Sequence, residues 1–275
     1  MKIYKVWRAM YPMALYVIIQ NVVVAAGMVV ARLFFPHVLS EATTSVSAWS
    51  DLYVTFLTVS AVISTVLFGM LYRKDIRKRA WRMTSDMDGG KRRMTGRDAC
   101  LIAAASIAFS IAGNNLVNIS PLPELSDSYE ETSAMLMSGS LVLQLLCVCM
   151  LAPIVEELVM RGLLYERLRE FMKPKWAIFL GGVLFGVFHG NLVQGIYAAC
   201  CGWFLCWLME TYHSLKATVL SHMVSNLAVT LIVSTSLYEN DMVFWIVTAA
   251  AAAVFALAIF RLATHQEVDD QQTIE

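Results

Sequence analysis

The chain has 275 residues, of which 58% are apolar and 15% charged, and its mean hydropathy is +0.62. Soluble domains carry about 25% charged residues, so this composition excludes an ordinary soluble globular protein. Basic and acidic residues number 21 each, giving a formal net charge of zero. No nucleic-acid-binding motif surrounds the basic residues, so we expect no nucleic-acid partner.

Eight apolar segments predict an all-α, polytopic transmembrane helical bundle of about eight membrane helices. A helix crosses the bilayer core with about 20 mostly apolar residues, and only the fifth segment is clearly shorter. The segments are residues 11–35, 52–72, 98–117, 135–155, 176–189, 192–209, 216–237 and 242–261. Without internal repeats or long polar linkers, residues 1–275 are interpreted as a single integral membrane domain.

The distribution of Lys and Arg predicts how the chain is oriented. Residues 73–97 hold ten Lys and Arg residues, and no further basic residue appears before Arg161. Because basic residues collect on the cytoplasmic side, we predict a multi-pass protein of the cell membrane with both termini cytoplasmic. Residues 73–97 are then a basic cytoplasmic loop, interpreted as a solvated linker that touches anionic lipid. The linker between the third and fourth segments instead carries Glu124, Asp127, Glu130 and Glu131.

The fourth segment leads into a cluster of charges, in the sequence APIVEELVMRG over residues 152–162. Ionisable side chains are costly inside a membrane and are therefore functional candidates. Glu157 and Arg161 are four positions apart and face each other on a helix, whereas Glu156 is rotated by about 100°. We predict that Arg161 neutralises Glu157, which leaves Glu156 as the better general base. Alternatively, these charges only mark the end of a membrane segment.

Two further clusters follow in the fifth and seventh segments. His189 ends the fifth segment, one helical turn after Phe185. His222 and Asn226 share one helical face, where an imidazole can orient water or bind metal and an amide can donate to an oxyanion. The alternatives are capping or packing for His189 and interhelical hydrogen bonding for the other two. Together the three clusters suit activation of water for peptide hydrolysis, and no zinc-binding HExxH or GxSxG motif is present.

The clusters resemble the CPBP family of intramembrane peptidases, which includes type II CAAX prenyl endopeptidases and bacteriocin-immunity-like membrane proteins. The family signature reads EExxxR, then FxxxH, then HxxxN, each on a membrane helix. In this chain the three motifs are Glu156-Glu157-x-x-x-Arg161, Phe185-x-x-x-His189 and His222-x-x-x-Asn226. The resemblance covers about residues 150–230, which we predict to carry the peptidase motifs.

The resemblance implies an intramembrane endopeptidase of glutamic or metallo type that acts on membrane-associated or lipidated protein or peptide substrates. It implies that Glu156 and His189 activate a water molecule, while His222 and Asn226 stabilise the oxyanion. Structural support of the site is assigned to Glu157, Arg161 and Phe185. A straight fifth helix would carry His189 away from Glu156, so we predict a short, tilted or partly re-entrant helix that returns it to a shared cavity.

The sequence leaves two alternatives open, one for the cofactor and one for the function. Two histidines and a carboxylate could hold zinc or another divalent metal with one open position, yet the same residues could act alone. We expect no tightly bound metal. The alternative to an enzyme is a non-catalytic immunity or regulatory protein that binds a peptide or a membrane partner. In both interpretations the partners are a protein or peptide at the membrane and the lipid bilayer.

Overall fold

The structure, a computed structural model, describes residues 3–83, 94–233 and 241–272. Within these ranges the regular structure is helical, with ten α-helices and one 3-10 turn, Pro123–Leu125. The helices are α1 (Ile3–Phe34), α2 (Pro36–Ala42), α3 (Val46–Met83), α4 (Gly96–Ile119), α5 (Asp127–Met137), α6 (Leu141–Arg169), α7 (Pro174–Phe188), α8 (Leu192–Tyr212), α9 (Leu215–Val233) and α10 (Asp241–Gln272).

Six of these helices, α1, α3, α4, α6, α8 and α10, are long and apolar enough to cross a membrane. The predicted all-α architecture is therefore confirmed for the described residues, and six of its helices are candidate membrane spans. The fifth predicted segment forms α7, an apolar helix of only 15 residues, and the seventh forms α9. Eight crossings thus remain a prediction for α7 and α9, whereas the other six segments meet the length and composition that a crossing needs.

Several helices continue beyond the apolar segments that predicted them, and two of them, α3 and α6, bear on the predicted basic loop and on the charged cluster. The second segment was expected to end at residue 72, but α3 runs to Met83, so the first part of the predicted basic loop is helical. Residues 84–93 of that loop lie outside the described residues. Lys and Arg are good helix formers, which allows the helix to continue once its apolar part ends. The fourth segment was expected to end at residue 155, yet α6 continues through its charges to Arg169.

Helix α6 lies at the centre of the bundle and is contacted by α1, α3, α7, α8 and α9. Its residues from Val159 to Tyr165 are all buried. By contrast, α1 presents large apolar side chains such as Val22 and Leu33 outwards, as expected of a helix that faces lipid. The centre of the fold is therefore the helix that carries Glu156, Glu157 and Arg161.

Helices α7 and α8 approach each other closely through glycines. A Cβ atom at Gly186 would collide with the carbonyl oxygen of Gly195, and one at Gly202 would lie 2.8 Å from the Cα of Gly182. Small residues permit such close helix packing in membranes. This contact fixes α7, and with it the end of the helix at which His189 follows.

Candidate active site

The stretch of α6 that carries the two glutamates is bounded by π-helical turns. Residues Cys147–Leu151 and Leu158–Tyr165 are π-helical, and Ala152–Glu157 between them is α-helical. Such π-turns inside α-helices are frequent at functional sites. A π-turn rotates the side chains that follow it relative to their positions on a regular α-helix. The directions of the Glu156 and Glu157 side chains therefore depend on the π-turn that precedes them.

A proline explains one feature of the first π-turn. The backbone N–H of Ala152 donates to the carbonyl of Cys147, so the next bond in this register would join residue 153 to Val148. Pro153 has no N–H to donate. The Val148 carbonyl instead accepts a hydrogen bond of 2.9 Å from Asn226 Nδ2 on α9. Asn226 thus replaces the donor that the proline removes, and it links α9 to α6.

Glu157 is fully buried and lies at the centre of the charged cluster. Its Oε1 accepts from Arg161 Nη1 at 2.8 Å and from His222 Nδ1 at 2.8 Å. The side chains of Glu157 and Arg161 are both 0% exposed, and buried charges require such pairing. The i,i+4 pair expected from the sequence is present. Its second bond, to His222, joins residues 65 positions apart, and no local pattern in the sequence indicates it.

The bond to Glu157 orients the imidazole of His222 towards Glu156. Since Nδ1 donates to a carboxylate, Nε2 is the nitrogen left for the site, and it lies 3.8 Å from Glu156 Oε2. This separation is too long for a hydrogen bond, and it is the kind of gap that a water molecule bridges. The side chain of Glu156 is 14% exposed, unlike that of Glu157. A carboxylate and an imidazole nitrogen therefore face each other at a separation that a water molecule beside both could bridge.

The ring of Phe185 joins the remaining members of the cluster. The guanidinium carbon of Arg161 lies 4.2 Å from the ring centroid, a cation–π arrangement. The imidazole of His189 meets this ring edge-on, with 4.8 Å between centroids, and that of His222 does so at 5.7 Å. The ring of Phe185 is thus a shared contact of Arg161, His189 and His222.

The short length of α7 brings His189 to this cluster. Helix α7 starts near the end of α6, and His189 follows its start by about 22 Å of helix, while Glu157 lies about 18 Å before Arg169. The two residues therefore lie at similar distances from the turn that joins α6 and α7. His189 Nδ1 donates to the Phe185 carbonyl at 2.8 Å, so its Nε2 is the nitrogen available to a ligand or to water.

The structure brings the predicted site residues close together, but the contacts of two of them, His189 and Asn226, differ from those expected. Within the described part of the chain, Glu156 has its polar contact with His222, and no hydrogen bond or ion pair joins it to His189. The expectation that His189 shares a cavity with Glu156 stays a prediction. The amide of Asn226, expected near an oxyanion, contacts the backbone of α6. The catalytic roles of all these residues likewise remain predictions.

The described residues do not form a ready metal site. No group of three or more His, Cys, Asp or Glu side chains among them is placed to hold a metal ion. In both histidines Nδ1 already donates to a protein acceptor, which leaves one nitrogen of each. The zinc alternative therefore lacks a preformed ligand set, and the chemistry considered below uses the side chains alone.

Comparison with known proteins agrees with the three motifs. Residues 138–228 match the family model described as type II CAAX prenyl endopeptidase Rce1-like. The match runs from the start of α6 into α9 and includes every predicted site residue, so the family resemblance read from the sequence is confirmed. The family implies an intramembrane protease with a protein or peptide substrate at the membrane. No curated protein and no solved structure gives a significant match to the chain.

Proposed function

We propose that this chain is an intramembrane endopeptidase using a glutamate-activated water, since residues 138–228 match the family model of type II CAAX prenyl endopeptidases, Rce1-like. Its substrates are membrane-associated or lipidated proteins or peptides. The observation that carries the proposal is the 3.8 Å gap between Glu156 Oε2 and His222 Nε2. It is flanked by Glu157 and Arg161, whose charges neutralise each other.

The first chemical step takes place in this gap. A water molecule there gives a proton to Glu156, and its oxygen attacks the carbonyl carbon of the scissile peptide bond. The resulting tetrahedral oxyanion collapses when the C–N bond breaks, and Glu156 returns the proton to the leaving amine. His189, through its Nε2, is assigned to hold the water together with Glu156.

Stabilisation of the oxyanion is assigned to His222 and Asn226. Each side chain already uses one N–H donor in a hydrogen bond to α6, which limits the donors left for an oxyanion. His222 already donates from Nδ1 to Glu157, so donation from Nε2 as well requires the imidazolium form. An asparagine amide carries two N–H donors, and one of those of Asn226 is bound to Val148. The second N–H is the one available to an oxyanion, in a site where preorganised donors contribute most to catalysis.

We also propose that both termini are cytoplasmic, with the basic end of α3 on that side. Arg8 on α1 and Arg167 on α6 both contact Asp75 near the end of α3, so these three helix ends lie at one end of the bundle. Arg73 and Lys74 are exposed there, which supports a cytoplasmic position by the distribution of basic residues.

The proposal is tested by cleavage assays on the purified full chain in lipid vesicles. Two probes separate the substrate classes: a prenylated peptide ending in a CAAX sequence, and a membrane-spanning peptide without a lipid. We expect the native chain to cleave at least one probe, and Glu156→Gln and His222→Ala to lose that cleavage while eluting as folded protein. Products are identified by mass spectrometry.

Two outcomes would contradict the proposal. Glu156→Gln that cleaves as well as the native chain would exclude the assigned base. Full function of Glu156→Gln in the cell, with no cleavage of either probe by the native chain, would support the non-catalytic binding protein instead. Metal content and sensitivity to a chelator, measured on the same sample, decide between the glutamic and metallo types.

A further inference from the structure

The first helix brings a tyrosine to the site from outside the region that matches the family. Most of α1 faces outwards, yet Tyr16 is only 4% exposed. Its ring stacks on Phe188, with 5.4 Å between centroids and an angle of 15°, and meets Phe68 edge-on at 6.0 Å. Two aromatic contacts of this kind hold the ring in one orientation.

The stacked ring connects Tyr16 to the site. Phe188, on which it stacks, also contacts the ring of His189, with 5.7 Å between centroids. Tyr16 further lies within electrostatic range of Glu156, the glutamate assigned as the base, and of Cys147 in the first π-turn. Tyr16 is therefore one ring away from His189 and in range of Glu156, the two groups assigned to hold the attacking water.

The hydroxyl of Tyr16 makes no hydrogen bond to any residue that the structure describes. Other tyrosines near charges have protein partners: the hydroxyl of Tyr165 donates to Glu210 at 2.6 Å, and that of Tyr11 accepts from Arg167 at 3.3 Å. The Tyr16 hydroxyl is also not among the fully enclosed polar atoms that lack a partner, so it borders space that a water molecule can reach. Because a tyrosine hydroxyl normally has a hydrogen-bond partner, a water molecule on the side of Glu156 can supply it.

We infer that Tyr16 is a water-positioning residue of this site: its hydroxyl hydrogen-bonds the water held by Glu156. This inference rests on the proposed function and deepens it, since it adds a polar group from α1 to a site otherwise built from α6, α7 and α9. The hydroxyl fixes the direction of the water oxygen, while the proton still passes to Glu156. Helix α1 then contributes a side chain to the active site and is not only a membrane anchor.

The test compares two substitutions that each remove a single hydroxyl from α1. Tyr16→Phe keeps the contacts with Phe188 and Phe68, and we expect about a tenfold loss of kcat with unchanged KM and unchanged melting temperature. Tyr11→Phe removes a hydroxyl outside the site and should leave both constants unchanged. If Tyr16 served only in packing, Tyr16→Phe would match the native enzyme and Tyr16→Leu alone would lower the melting temperature.

An infrared measurement makes the inference independent of any substrate. The carboxyl bands of Glu156 are assigned by their loss in Glu156→Gln, and a shared water makes them sensitive to the Tyr16 hydroxyl. We expect these bands to shift in Tyr16→Phe and not in Tyr11→Phe. Unshifted bands in Tyr16→Phe would overturn the inference, whereas shifted bands in a chain that cleaves neither probe would keep it and reject the proposed function.

Discussion

Helix α6 carries several arginine–carboxylate pairs, and two of its networks differ in how their charges are matched. At the end of the helix, Arg167 Nε donates to Asp75 at 2.7 Å, and Arg8 donates to Glu170 at 2.7 Å. Two arginines there meet two carboxylates. In the middle of the helix, Arg161 is the one arginine beside two glutamates, and it binds Glu157.

We interpret this difference as one between a structural network and a reactive one. In the end network each carboxylate has a guanidinium within 2.7 Å. In the central network Glu156 has only an imidazole, at 3.8 Å. We therefore propose that buried charge alone does not mark the reactive site, and that it is marked by a carboxylate without its own cation, next to a nitrogen oriented towards it. The predictions below test whether the two networks respond to substitution as this distinction requires.

The largest effect is expected from Glu156→Gln, measured as kcat on the probe that the native chain cleaves. Loss of a general base lowers the rate by about 10²–10⁴-fold, and the isosteric amide leaves the fold intact. The matched control is Glu170→Gln in the end network, which should keep kcat within about twofold because its carboxylate binds only Arg8. Equal loss in both variants would show that the networks do not differ in function.

A second prediction concerns Arg161→Ala, which leaves Glu157 buried without its cation. Breaking a buried ion pair by removing one partner costs about 3–5 kcal/mol, so we expect a low yield of folded protein and a strongly reduced melting temperature in detergent. Arg8→Ala, whose side chain is 23% exposed, serves as the control and should be purified normally. A stable, well-expressed Arg161→Ala protein would contradict the scaffold role of the Glu157–Arg161 pair.

The sequence could predict contacts of this site between residues that are close along the chain, but not contacts between residues that are far apart along it. The Glu157–Arg161 pair follows from helical periodicity, because residues four apart are neighbours on any helix. The bond from His222 to Glu157 and that from Asn226 to Val148 span 65 and 78 positions, so they depend on how α9 packs against α6. The position of Tyr16 beside Glu156 required the packing of α1 and could not be predicted from its local sequence.

The extents of the helices show the same limit. The apolar segments located the six candidate membrane-spanning helices of the described residues, but the fourth segment was drawn to end at residue 155, with the charges after it as one possible sign of that end. Helix α6 instead continues to Arg169, because Glu157, Arg161 and Arg167 find partners inside the protein. Composition cannot distinguish a charge that faces water from one that is neutralised by a neighbouring helix, and only the fold makes that distinction.

A third prediction separates the two roles open to Asn226. Asn226→Ala removes the donor to the Val148 carbonyl, and an unsatisfied buried acceptor costs about 1–3 kcal/mol, so the melting temperature should fall. If the second N–H also serves the oxyanion, kcat falls as well, by about 10²–10³-fold. Thr230→Val, one turn further along α9 where Thr230 contacts Cys149 at 3.4 Å, is the control for a general loosening of α9. A loss of stability without loss of kcat would assign Asn226 to the scaffold alone.

The smallest effect is expected in the end network, from a double-mutant cycle of Arg8→Gln and Glu170→Gln. Both side chains are 23% exposed, and partly exposed ion pairs contribute about 0–1 kcal/mol because solvent and salt screen them. We therefore expect a coupling energy below about 1 kcal/mol in detergent, which decreases further as salt is added. The same cycle on Glu157 and Arg161 should give a larger coupling that salt does not change, since both groups are 0% exposed. Equal couplings for the two pairs would mean that burial does not distinguish the networks, and the unmatched charge of Glu156 would then lose its significance as the mark of the active site.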